Sequence, residues 1–353
     1  MPRASFWAGR RVLLTGHTGF KGSWAWAWLR RMGADVTGLA LAPDTTPSLC
    51  GILAADADPR SLLGDIRQPD VVAQAVAKAR PQVVLHMAAQ ALVRRSYAEP
   101  VATFDTNVMG TLHLLAAVRE APGLEVCLVV TSDKVYENDG SGRAYVESDP
   151  LGGSDPYSAS KGACEIAVSS FARSYFAAGP AVVATARAGN VIGGGDWSAD
   201  RIVPDLWRAR QARQPVSLRY PEATRPWQHV LEPVAGYLDF IEALAKGCAD
   251  RALNFGPLAD GPITVREVAE AFQRAYGDPG WSGWTQAPGK HPKEAATLGI
   301  DSRRAVAVLP WRPRLSAAEA IQWTADWYAA YDKGENMTAF TLSQIDTFAG
   351  RAA

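Results

Sequence analysis

The sequence predicts an α/β fold in which a doubly wound parallel sheet carries a smaller C-terminal region. Three features of the 353-residue chain predict it: short apolar runs, longer amphipathic segments between them, and the loss of this alternation after about residue 190. Short strands that alternate with helices pair in parallel, because each right-handed crossover returns the chain to the same end of the sheet. Sheets of this kind bind nucleotides at the carboxyl ends of their strands.

The apolar runs of the first half are the candidate strands. They include RVLLTG, DVTGLAL, QVVLHMAA and VCLVVTS, and amphipathic segments such as SWAWAWLRRMG and NVMGTLHLLAAVREA separate them. Further on, Gly- and Pro-rich connections such as VIGGGDW and RYPEATRPWQH replace this pattern. We therefore expect a nucleotide-binding domain over residues 1–189 with return segments near 225–255, a mainly substrate-binding region over 190–335, and a peripheral tail over 336–353.

Composition and charge exclude several classes of protein. The chain has 36 Lys and Arg against 36 Asp and Glu, so no overall field attracts nucleic acid or an anionic membrane surface. With 48% hydrophobic residues it can fill a large core. The four cysteines lack the spacing of a metal site or of a disulfide framework, and the N-terminal apolar run is too short for a membrane span. We expect a soluble cytoplasmic protein that binds no metal, no nucleic acid and no membrane.

The first strand leads directly into a glycine loop. In TGHTGFKG, Gly16, Gly19 and Gly22 are spaced by three residues and a helix follows. Glycines at such a turn let the backbone approach a pyrophosphate, whose charge then lies at the helix N-terminus. Because strand, loop and helix come in this order, the segment predicts a Rossmann-type cofactor site.

The second strand departs from the usual cofactor pattern. A carboxylate about twenty residues after the glycine loop normally binds the adenosine ribose. Here the strand ends in Leu39, Ala40 and Leu41, and Asp44 comes only later. This position therefore does not decide between NAD and NADP. Asp65, which follows a short hydrophobic stretch, is a candidate contact for adenine, and the alternative is an acid in a turn before a helix.

A Tyr and a Lys lie four residues apart in YSASK. Tyr157 and Lys161 therefore share one face of a helix. An ammonium near a tyrosine lowers its pKa, so that the phenolate can accept the proton of a sugar hydroxyl. Ser132 and Thr131, at the end of an earlier strand, could complete a hydrogen-bonded trio with Tyr157. The alternative is an exposed helix face without chemistry.

Together these features resemble the extended short-chain dehydrogenase/reductase superfamily, which includes the NAD-dependent epimerases and dehydratases. The chain looks closest to its CDP-glucose 4,6-dehydratase family. The motifs that carry the resemblance are TGHTGFKGSW, HMAAQALVRRSY, TNVMGT, TSDKVY, GGSDPYSASKGACE, RAGNVIGGGDW and RPWQHVLEP. The glycine loop and Y-x-x-x-K are specific only to the superfamily, whereas HTGFKGSW, TSDK, GNVIGGGDW and RPWQHV together are specific to the smaller group.

The resemblance implies a redox-neutral dehydration of a nucleotide sugar. The hexose is oxidised at C4, a proton leaves C5, water leaves C6, and the hydride returns to C6. By the same resemblance Tyr157 is the base at C4, Lys161 binds the nicotinamide ribose and tunes Tyr157, and Ser132 holds the C4 oxygen. Many related dehydratases have Thr in place of Ser132 and Asp-Glu in place of Asp133 and Lys134.

Asp133 and Lys134 raise the question of whether they form an ion pair or act separately. Elimination needs an acid at the C6 hydroxyl and a base at C5, so we expect Asp133 to act at C6 and Lys134 to act at C5, directly or through a water. Burial under a sugar disfavours the charged forms of both groups, whereas an ion pair would make both inert. Neighbouring residues of a strand point to opposite faces. Both side chains can therefore face one substrate only where the chain leaves the strand.

The resemblance also implies contacts for NAD and for a nucleotide-sugar substrate such as CDP-glucose. The implied cofactor contacts are Gly16, Thr18, Gly19, Phe20, Lys21, Gly22, Asp65, Ile66, Ala88, Ala89, Gln90, Asn107, Thr131, Tyr157 and Lys161. The candidates for binding the substrate are Asn190, Arg201, Arg225, His291 and Glu294. Arginine suits a diphosphate because its guanidinium forms two parallel hydrogen bonds.

Alternatives remain at this point. A 4-epimerase, a dehydratase for another nucleotide sugar, or a cofactor-binding sensor without turnover would share the glycine loop. His86 lies at a strand end, where a packed histidine is expected rather than a catalyst. Trp24, Trp26 and Trp28 cannot share one helix face and receive no chemical role. The helices NVMGTLHLLAAVREA and ASKGACEIAVSSFARSYF are candidates for a homodimer contact.

Overall fold

The computed structural model describes residues 1–258, 263–278, 280–289 and 299–351. Within these ranges the helices are α1 (Ala4–Trp7), α2 (Phe20–Arg31), α3 (Leu49–Ile52), α4 (Pro69–Ala79), α5 (Val93–Ala98), α6 (Pro100–Phe104), α7 (Gly110–Arg119), α8 (Pro156–Phe171), α9 (Ile202–Gln211), α10 (Leu231–Leu244), α11 (Val265–Tyr276), α12 (Arg303–Val308), α13 (Ala317–Asp332) and α14 (Met337–Gly350). The strands are β1 (Arg11–Thr15), β2 (Asp35–Ala40), β3 (Ser61–Leu63), β4 (Val83–His86), β5 (Val126–Val130), β6 (Ala144–Tyr145), β7 (Val182–Ala188), β8 (Val191–Ile192), β9 (Val216–Leu218), β10 (Thr224–Arg225), β11 (Gln228–His229), β12 (Ala252–Phe255), β13 (Ile263–Thr264), β14 (Trp284–Gln286) and β15 (Gly299–Ile300).

The central sheet is parallel throughout, as the alternation of strands and helices predicts. Its seven strands have the order β12-β7-β5-β4-β1-β2-β3. The direction of winding reverses between β1 and β4, and β1 pairs with both β2 and β4. A crevice opens at such a switch point beside the strand carboxyl ends, which is where open α/β sheets bind ligands. The fold class expected from the sequence is therefore confirmed.

Helices cover both faces of the sheet, because successive residues of its strands point to opposite sides. In β1, Val12 and Leu14 join the core on the face of α2 and α10, whereas Leu13 joins the core under α4, α7 and α8. The inner strands β1, β4 and β5 are buried on both faces, so they show nearly continuous apolar runs rather than alternating ones. The larger core continues from the sheet through α10 into α13 and α14.

The C-terminal segment differs from the expectation of a peripheral tail. Residues 337–350 form α14, and Phe348 is fully buried against Trp28 of α2. Thr341 accepts a hydrogen bond from the Trp327 indole at 3.0 Å. The helix begins at Asn336, whose side chain caps it by accepting from the Ala339 N–H. This segment is part of the scaffold.

The three tryptophans after the glycine loop pack in three directions, as their spacing requires. Trp24 donates to the Gly194 carbonyl at 3.0 Å, Trp26 lies against His17, and Trp28 contacts Phe348. All three side chains are buried. They connect α2 to the sheet, to the substrate-side loops and to the C-terminal helix.

Helix α10 begins with a buried carboxylate. Glu232 Oε1 accepts from the backbone N–H groups of Arg314 at 2.8 Å and Leu315 at 2.7 Å, whereas Oε2 has no hydrogen-bond partner in the described residues. Burial raises the pKa of Glu232 to about 7, and the two backbone bonds offset only part of that rise. The residue therefore favours the protonated form in the folded protein.

Candidate active site

The glycine loop has the geometry of a dinucleotide site. Gly16 has φ +76°, and a Cβ on it would lie 2.7 Å from the Ala88 backbone nitrogen. A Cβ on Gly22 would lie 1.9 Å from the Gly16 carbonyl oxygen, so only glycine allows the loop to close on α2. The N-cap of α2 is Gly19, which has no side chain to cap the helix, and no other described side chain accepts from its first N–H groups. These residues fit a cofactor pyrophosphate.

The predicted cofactor contacts divide into those that face the cavity and those that hold the loops. Phe20, Lys21 and Thr131 line the cavity. Thr18 donates its hydroxyl to the Leu41 carbonyl at 2.8 Å and so joins the loop to the end of β2. Ala88 donates its N–H to the Thr15 hydroxyl at 3.1 Å. For Ala89, in the loop after β4, no hydrogen bond is found among the described residues.

Gln90 and Asn107 hydrogen-bond to each other and connect the loop after β4 to α8. The Asn107 amide accepts from the Gln90 N–H at 2.8 Å and donates to the Ser160 hydroxyl at 2.9 Å. Ser160 lies on α8 between Tyr157 and Lys161. Asn107 thus joins the loop after β4 to the helix that carries the Tyr and Lys pair.

Asp65 is bound by its own turn. Its carboxylate accepts from the Arg67 N–H at 2.9 Å and pairs with the Arg67 guanidinium at 2.5 Å. The hydrogen bond from the Arg67 side chain lowers the pKa of Asp65. This is the alternative of a turn acid before α4, while Ile66 next to it is buried against Gly110.

A cavity of about 920 Å³ lies beside the glycine loop and is lined by most of the residues predicted to be catalytic. Its walls include Ser132, Asp133, Lys134 and Tyr157 from the cofactor-binding half. The predicted substrate residues Asn190, Arg201 and Arg225 line the same cavity. His291 and Glu294 lie outside the described residues. A cavity of this size accommodates a nucleotide sugar.

Asp133 and Lys134 leave the strand before they reach the cavity. They begin a 3₁₀ turn, Asp133–Val135, directly after Ser132, which caps it by accepting from the Lys134 N–H at 3.2 Å. The turn lets both residues line one cavity, as the predicted chemistry requires. No ion pair within 4.0 Å joins their side chains, which are both described. The question raised by the sequence is thereby answered in favour of two separate groups.

The Asp133 carboxylate is held on one side only. Its Oδ1 accepts from the Ser132 hydroxyl at 3.0 Å, and its Oδ2 has no hydrogen-bond partner in the described part of the chain. The residue is 2% exposed, whereas Lys134 is half-buried. Gly189 keeps the space beside Oδ2 open, because a Cβ there would lie 3.1 Å from that oxygen. A buried oxygen without a partner is available to a ligand.

The Tyr157 and Lys161 pair is buried, and one prediction about it is wrong. Burial raises the pKa of Tyr157 to about 12, although a hydrogen bond to Ser132 opposes the rise. Burial also lowers the pKa of Lys161, and its ammonium donates to the Val130 carbonyl at 3.2 Å. Desolvation therefore outweighs the expected lowering of the Tyr157 pKa by the ammonium.

The predicted trio is only partly formed. Ser132 lies between Tyr157 and Asp133, but the Thr131 hydroxyl points away and donates to Glu165 at 2.5 Å.

His86, as expected, is structural: it is buried between the hydroxyls of Thr15 at 2.6 Å and Thr111 at 2.9 Å. Burial lowers the pKa of His86 to about 3, so it stays neutral.

Lys21 and Arg201 bring positive charge to the cavity. Burial first, and then the charges of Arg201 and Lys161, lower the pKa of Lys21 to about 8. Arg201 pairs with the buried Asp196 at 3.0 Å, which fixes its guanidinium at the start of α9. Lys21 and Arg201 both line the cavity, and such cations suit a substrate or cofactor that carries phosphates.

The sequence reasoning missed several residues that line the cavity. Asp196 and Asp200 follow the glycines of GGGDW, and Arg94 and Arg219 line the same cavity. Asp200 pairs with Arg94 at 2.5 Å and with Arg219 at 3.8 Å. Their neighbours in the sequence give no indication of this contact, since Arg94 and Asp200 are 106 residues apart.

None of the helices in the described ranges is both long and apolar enough to cross a bilayer. Among the same residues, no three His, Cys, Asp or Glu side chains lie together in a way that could hold a metal ion.

Fold and site together define a dinucleotide-binding enzyme of the short-chain dehydrogenase/reductase type. The sequence model of the NAD dependent epimerase/dehydratase family matches residues 12–256. The chain is 41% identical over 353 residues to a CDP-glucose 4,6-dehydratase of Salmonella typhimurium, covering 98% of this chain and 97% of that one. The chain belongs to the NAD dependent epimerase/dehydratase family.

Two solved structures are similar to this one over most of their length. A UDP-glucose 4-epimerase of Thermus thermophilus in complex with NAD is 27% identical, with a TM-score of 0.71 and coverage of 90% of this chain and 98% of that one. A dTDP-glucose 4,6-dehydratase of Streptomyces venezuelae with NAD bound is 24% identical, with a TM-score of 0.77 and coverage of 93% and 99%. The second similarity is one of fold.

Proposed function

We propose that the protein is a carbon–oxygen lyase that dehydrates CDP-D-glucose to CDP-4-dehydro-6-deoxy-D-glucose with NAD as cofactor, in deoxysugar biosynthesis. The observation that carries the proposal is the placement of Asp133 and Lys134, unpaired with each other, in the same cavity as Ser132 and Tyr157. The Salmonella relative bears the name of this activity. The choice of CDP-glucose among nucleotide sugars rests on that similarity.

Tyr157 begins the reaction by accepting the proton of the C4 hydroxyl. Ser132 lines the cavity together with Tyr157, and we assign to it the role of holding the C4 oxygen. Because burial keeps the pKa of Tyr157 high in the protein alone, the phenol needs added positive charge to become a base. NAD, which the glycine loop and Lys161 would hold, would supply a cationic ring and a hydride acceptor for C4 that can also give the hydride to C6.

Asp133 and Lys134 perform the elimination. Once C4 is a ketone the C5 proton is acidic, and Lys134 removes it directly or through a water and returns a proton to C5 when the hydride reaches C6. Asp133 gives a proton to the C6 hydroxyl, which leaves as water. Oδ2 of Asp133, which has no hydrogen-bond partner among the residues that the structure describes, is the oxygen that can carry this proton, while Ser132 holds Oδ1. Donor and acceptor are separate groups, which general acid and base catalysis on neighbouring carbons requires.

The alternatives fit less well. A 4-epimerase uses a tyrosine and a lysine at C4 but needs no acid at C6, so it gives no reason for a buried, one-sided Asp133. A sensor without turnover has no need for Ser132, Tyr157 and Lys161, and all three are present.

Arg201 and Arg225, with Asn190, are the groups we assign to the diphosphate and sugar.

A panel of nucleotide sugars tests the proposal. The protein is incubated with NAD and CDP-, dTDP-, UDP- or GDP-glucose, and the 4-keto-6-deoxy product is followed by its absorbance in alkali. We expect product from CDP-glucose. A galactose product from any donor would support the epimerase, and no product from all four would support the sensor. Tyr157→Phe serves as the control that removes the C4 base without changing the shape of the cavity.

We further propose that the enzyme is a cytoplasmic homodimer. Val101, Met109, Ile166 and Tyr175 are large apolar or aromatic side chains that are exposed on the packed helices α6 to α8 and their extensions. Exposed apolar groups on neighbouring helices are typical of a protein interface. The four cysteines are all free, as in a reducing compartment.

A further inference from the structure

Glu165 lies under the catalytic strand end, in a buried cluster that the proposed mechanism does not use. We call Thr131, Tyr136, Glu165, Thr185 and Arg187 the Glu165 cluster. Glu165 Oε1 accepts from the Thr131 hydroxyl at 2.5 Å and from Arg187 Nε at 2.9 Å. Its Oε2 accepts from the Thr185 hydroxyl at 2.8 Å and from Arg187 Nη2 at 2.8 Å. The carboxylate and the guanidinium are about 5% exposed or less.

The cluster connects two parts of the site. Glu165 lies on α8 four residues after Lys161 and eight after Tyr157, so the three side chains share one side of the helix. Thr131 directly precedes Ser132 and the turn with Asp133 and Lys134. The carboxylate therefore joins the helix that carries the C4 base to the segment that carries the acid and base of the elimination.

The far end of that segment is held by the same cluster. Arg187 donates through Nη1 to the Tyr136 hydroxyl at 2.8 Å, and that hydroxyl donates to Asn254 at 2.7 Å. Tyr136 follows the 3₁₀ turn immediately. The segment 131–136 is thus bound at its first and last residues to one buried ion pair, and its catalytic side chains lie between them.

We propose that Glu165 is a positioning residue that sets the separation between Tyr157 and the Asp133–Lys134 turn. This inference rests on the proposed function, in which protons move at C4, C5 and C6 of one sugar ring. Groups that act on adjacent carbons must be held together, since a shift of about 1 Å reduces rates about 100-fold. Four hydrogen bonds in a buried environment hold Glu165 in one place.

Two threonines of the cluster provide a matched test. Thr131 and Thr185 are both buried, and each donates one hydroxyl to Glu165. Thr131→Val removes the bond that leads to the catalytic segment, whereas Thr185→Val removes the equivalent bond from β7. We expect kcat of Thr131→Val to fall about 10- to 100-fold with little change in KM. Thr185→Val is expected to keep the kcat of the wild-type protein.

Thr131→Ser is the rescue variant, because it keeps the hydroxyl and removes only a methyl group. We expect it to fold and to retain kcat, so it decides the question even if Thr131→Val does not fold. Equal losses of kcat in Thr131→Val and Thr185→Val, or the same loss in Thr131→Ser, would show that the cluster is merely structural and overturn the proposal.

Hydrogen exchange gives a readout that does not depend on turnover. Exchange of the full-length protein is followed in peptides that cover residues 131–136. We expect faster exchange there in Thr131→Val and wild-type exchange in Thr185→Val and Thr131→Ser. Unchanged exchange in Thr131→Val would refute the positioning role. If the wild-type protein converts no nucleotide sugar, the proposed function fails, while this comparison still decides whether Glu165 holds the segment.

Discussion

The buried carboxylate at the start of α10 makes a quantitative prediction about stability and pH. Burial raises the pKa of Glu232 from 4.5 to about 7. The folded protein then binds a proton that the unfolded chain has released, so this group destabilises the fold as pH rises from about 4.5 to 7. Between pH 5 and pH 8 the loss in the free energy of unfolding is about 2 to 3 kcal/mol, at about 1.4 kcal/mol for each pKa unit.

Glu232→Gln removes this dependence while preserving the shape of the residue. The amide oxygen can still accept from the Arg314 and Leu315 N–H groups, as Oε1 does. Urea unfolding of the wild-type protein and the variant at pH 5 and pH 8 measures the difference. We expect the variant to be similar in stability at pH 5 and more stable at pH 8 by about 2 to 3 kcal/mol.

The comparison with the wild-type protein is essential, because other groups titrate over the same range. Burial lowers the pKa of His17 to about 4 and that of His86 to about 3, and both give stability that increases with pH. Their contribution cancels in the difference between the two proteins. Glu120→Gln, on the exposed surface, is the control for loss of one carboxylate. Equal pH slopes for Glu232→Gln and the wild-type protein would refute the reasoning.

Three further predictions concern the active site and assembly. Asp133→Asn and Lys134→Met should still bind NAD and oxidise C4, seen as absorbance of reduced nicotinamide, but lose elimination by about 10²- to 10⁴-fold; full turnover by Lys134→Met would remove Lys134 from the mechanism. Because the pKa of Lys21 is about 8, affinity for NAD measured by titration calorimetry should fall as pH rises above 8. Lys21→Met should bind NAD weakly and without that fall. The same pH dependence in the variant would exclude Lys21 as the group that titrates. Ile166→Glu, at a side chain 60% exposed on α8, should give monomers in light scattering. Val308→Glu, at a side chain 42% exposed on α12, should leave the mass unchanged. An unchanged mass for Ile166→Glu would exclude this face of α8 as the dimer interface.

Local motifs at strand ends were enough to predict many of the residues that line the cavity, whereas their roles stay predictions. Glycines that must approach a backbone, a Tyr and Lys one helical turn apart, and Asp133 directly after an apolar strand each depend on short-range geometry. The parallel sheet orders these strand ends along one edge, so residues far apart in sequence meet there without further information.

Properties that depend on tertiary packing could not be predicted in this way. The pKa of Tyr157 is set by how deeply α8 is buried, which the spacing of Tyr157 and Lys161 does not contain. The pairing of Arg94 with Asp200 joins elements whose relative placement only the folded chain defines. The C-terminal helix, in contrast, had a local pattern that was missed: Met337, Thr341, Ile345 and Phe348 are all buried and recur at helical spacing.

The apolar core has a consequence for how ligands reach the cavity. Leu231 of α10, Trp24 of α2 and Trp327 of α13 belong to one continuous cluster, and Trp327 packs so closely on Gly194 that a Cβ there would lie 1.9 Å from its ring. The cofactor-binding and substrate-binding regions therefore cannot rotate as rigid bodies relative to each other without disrupting this shared hydrophobic packing. Entry and release must instead depend on surface segments at the rim, and we expect neither half to fold when expressed without the other.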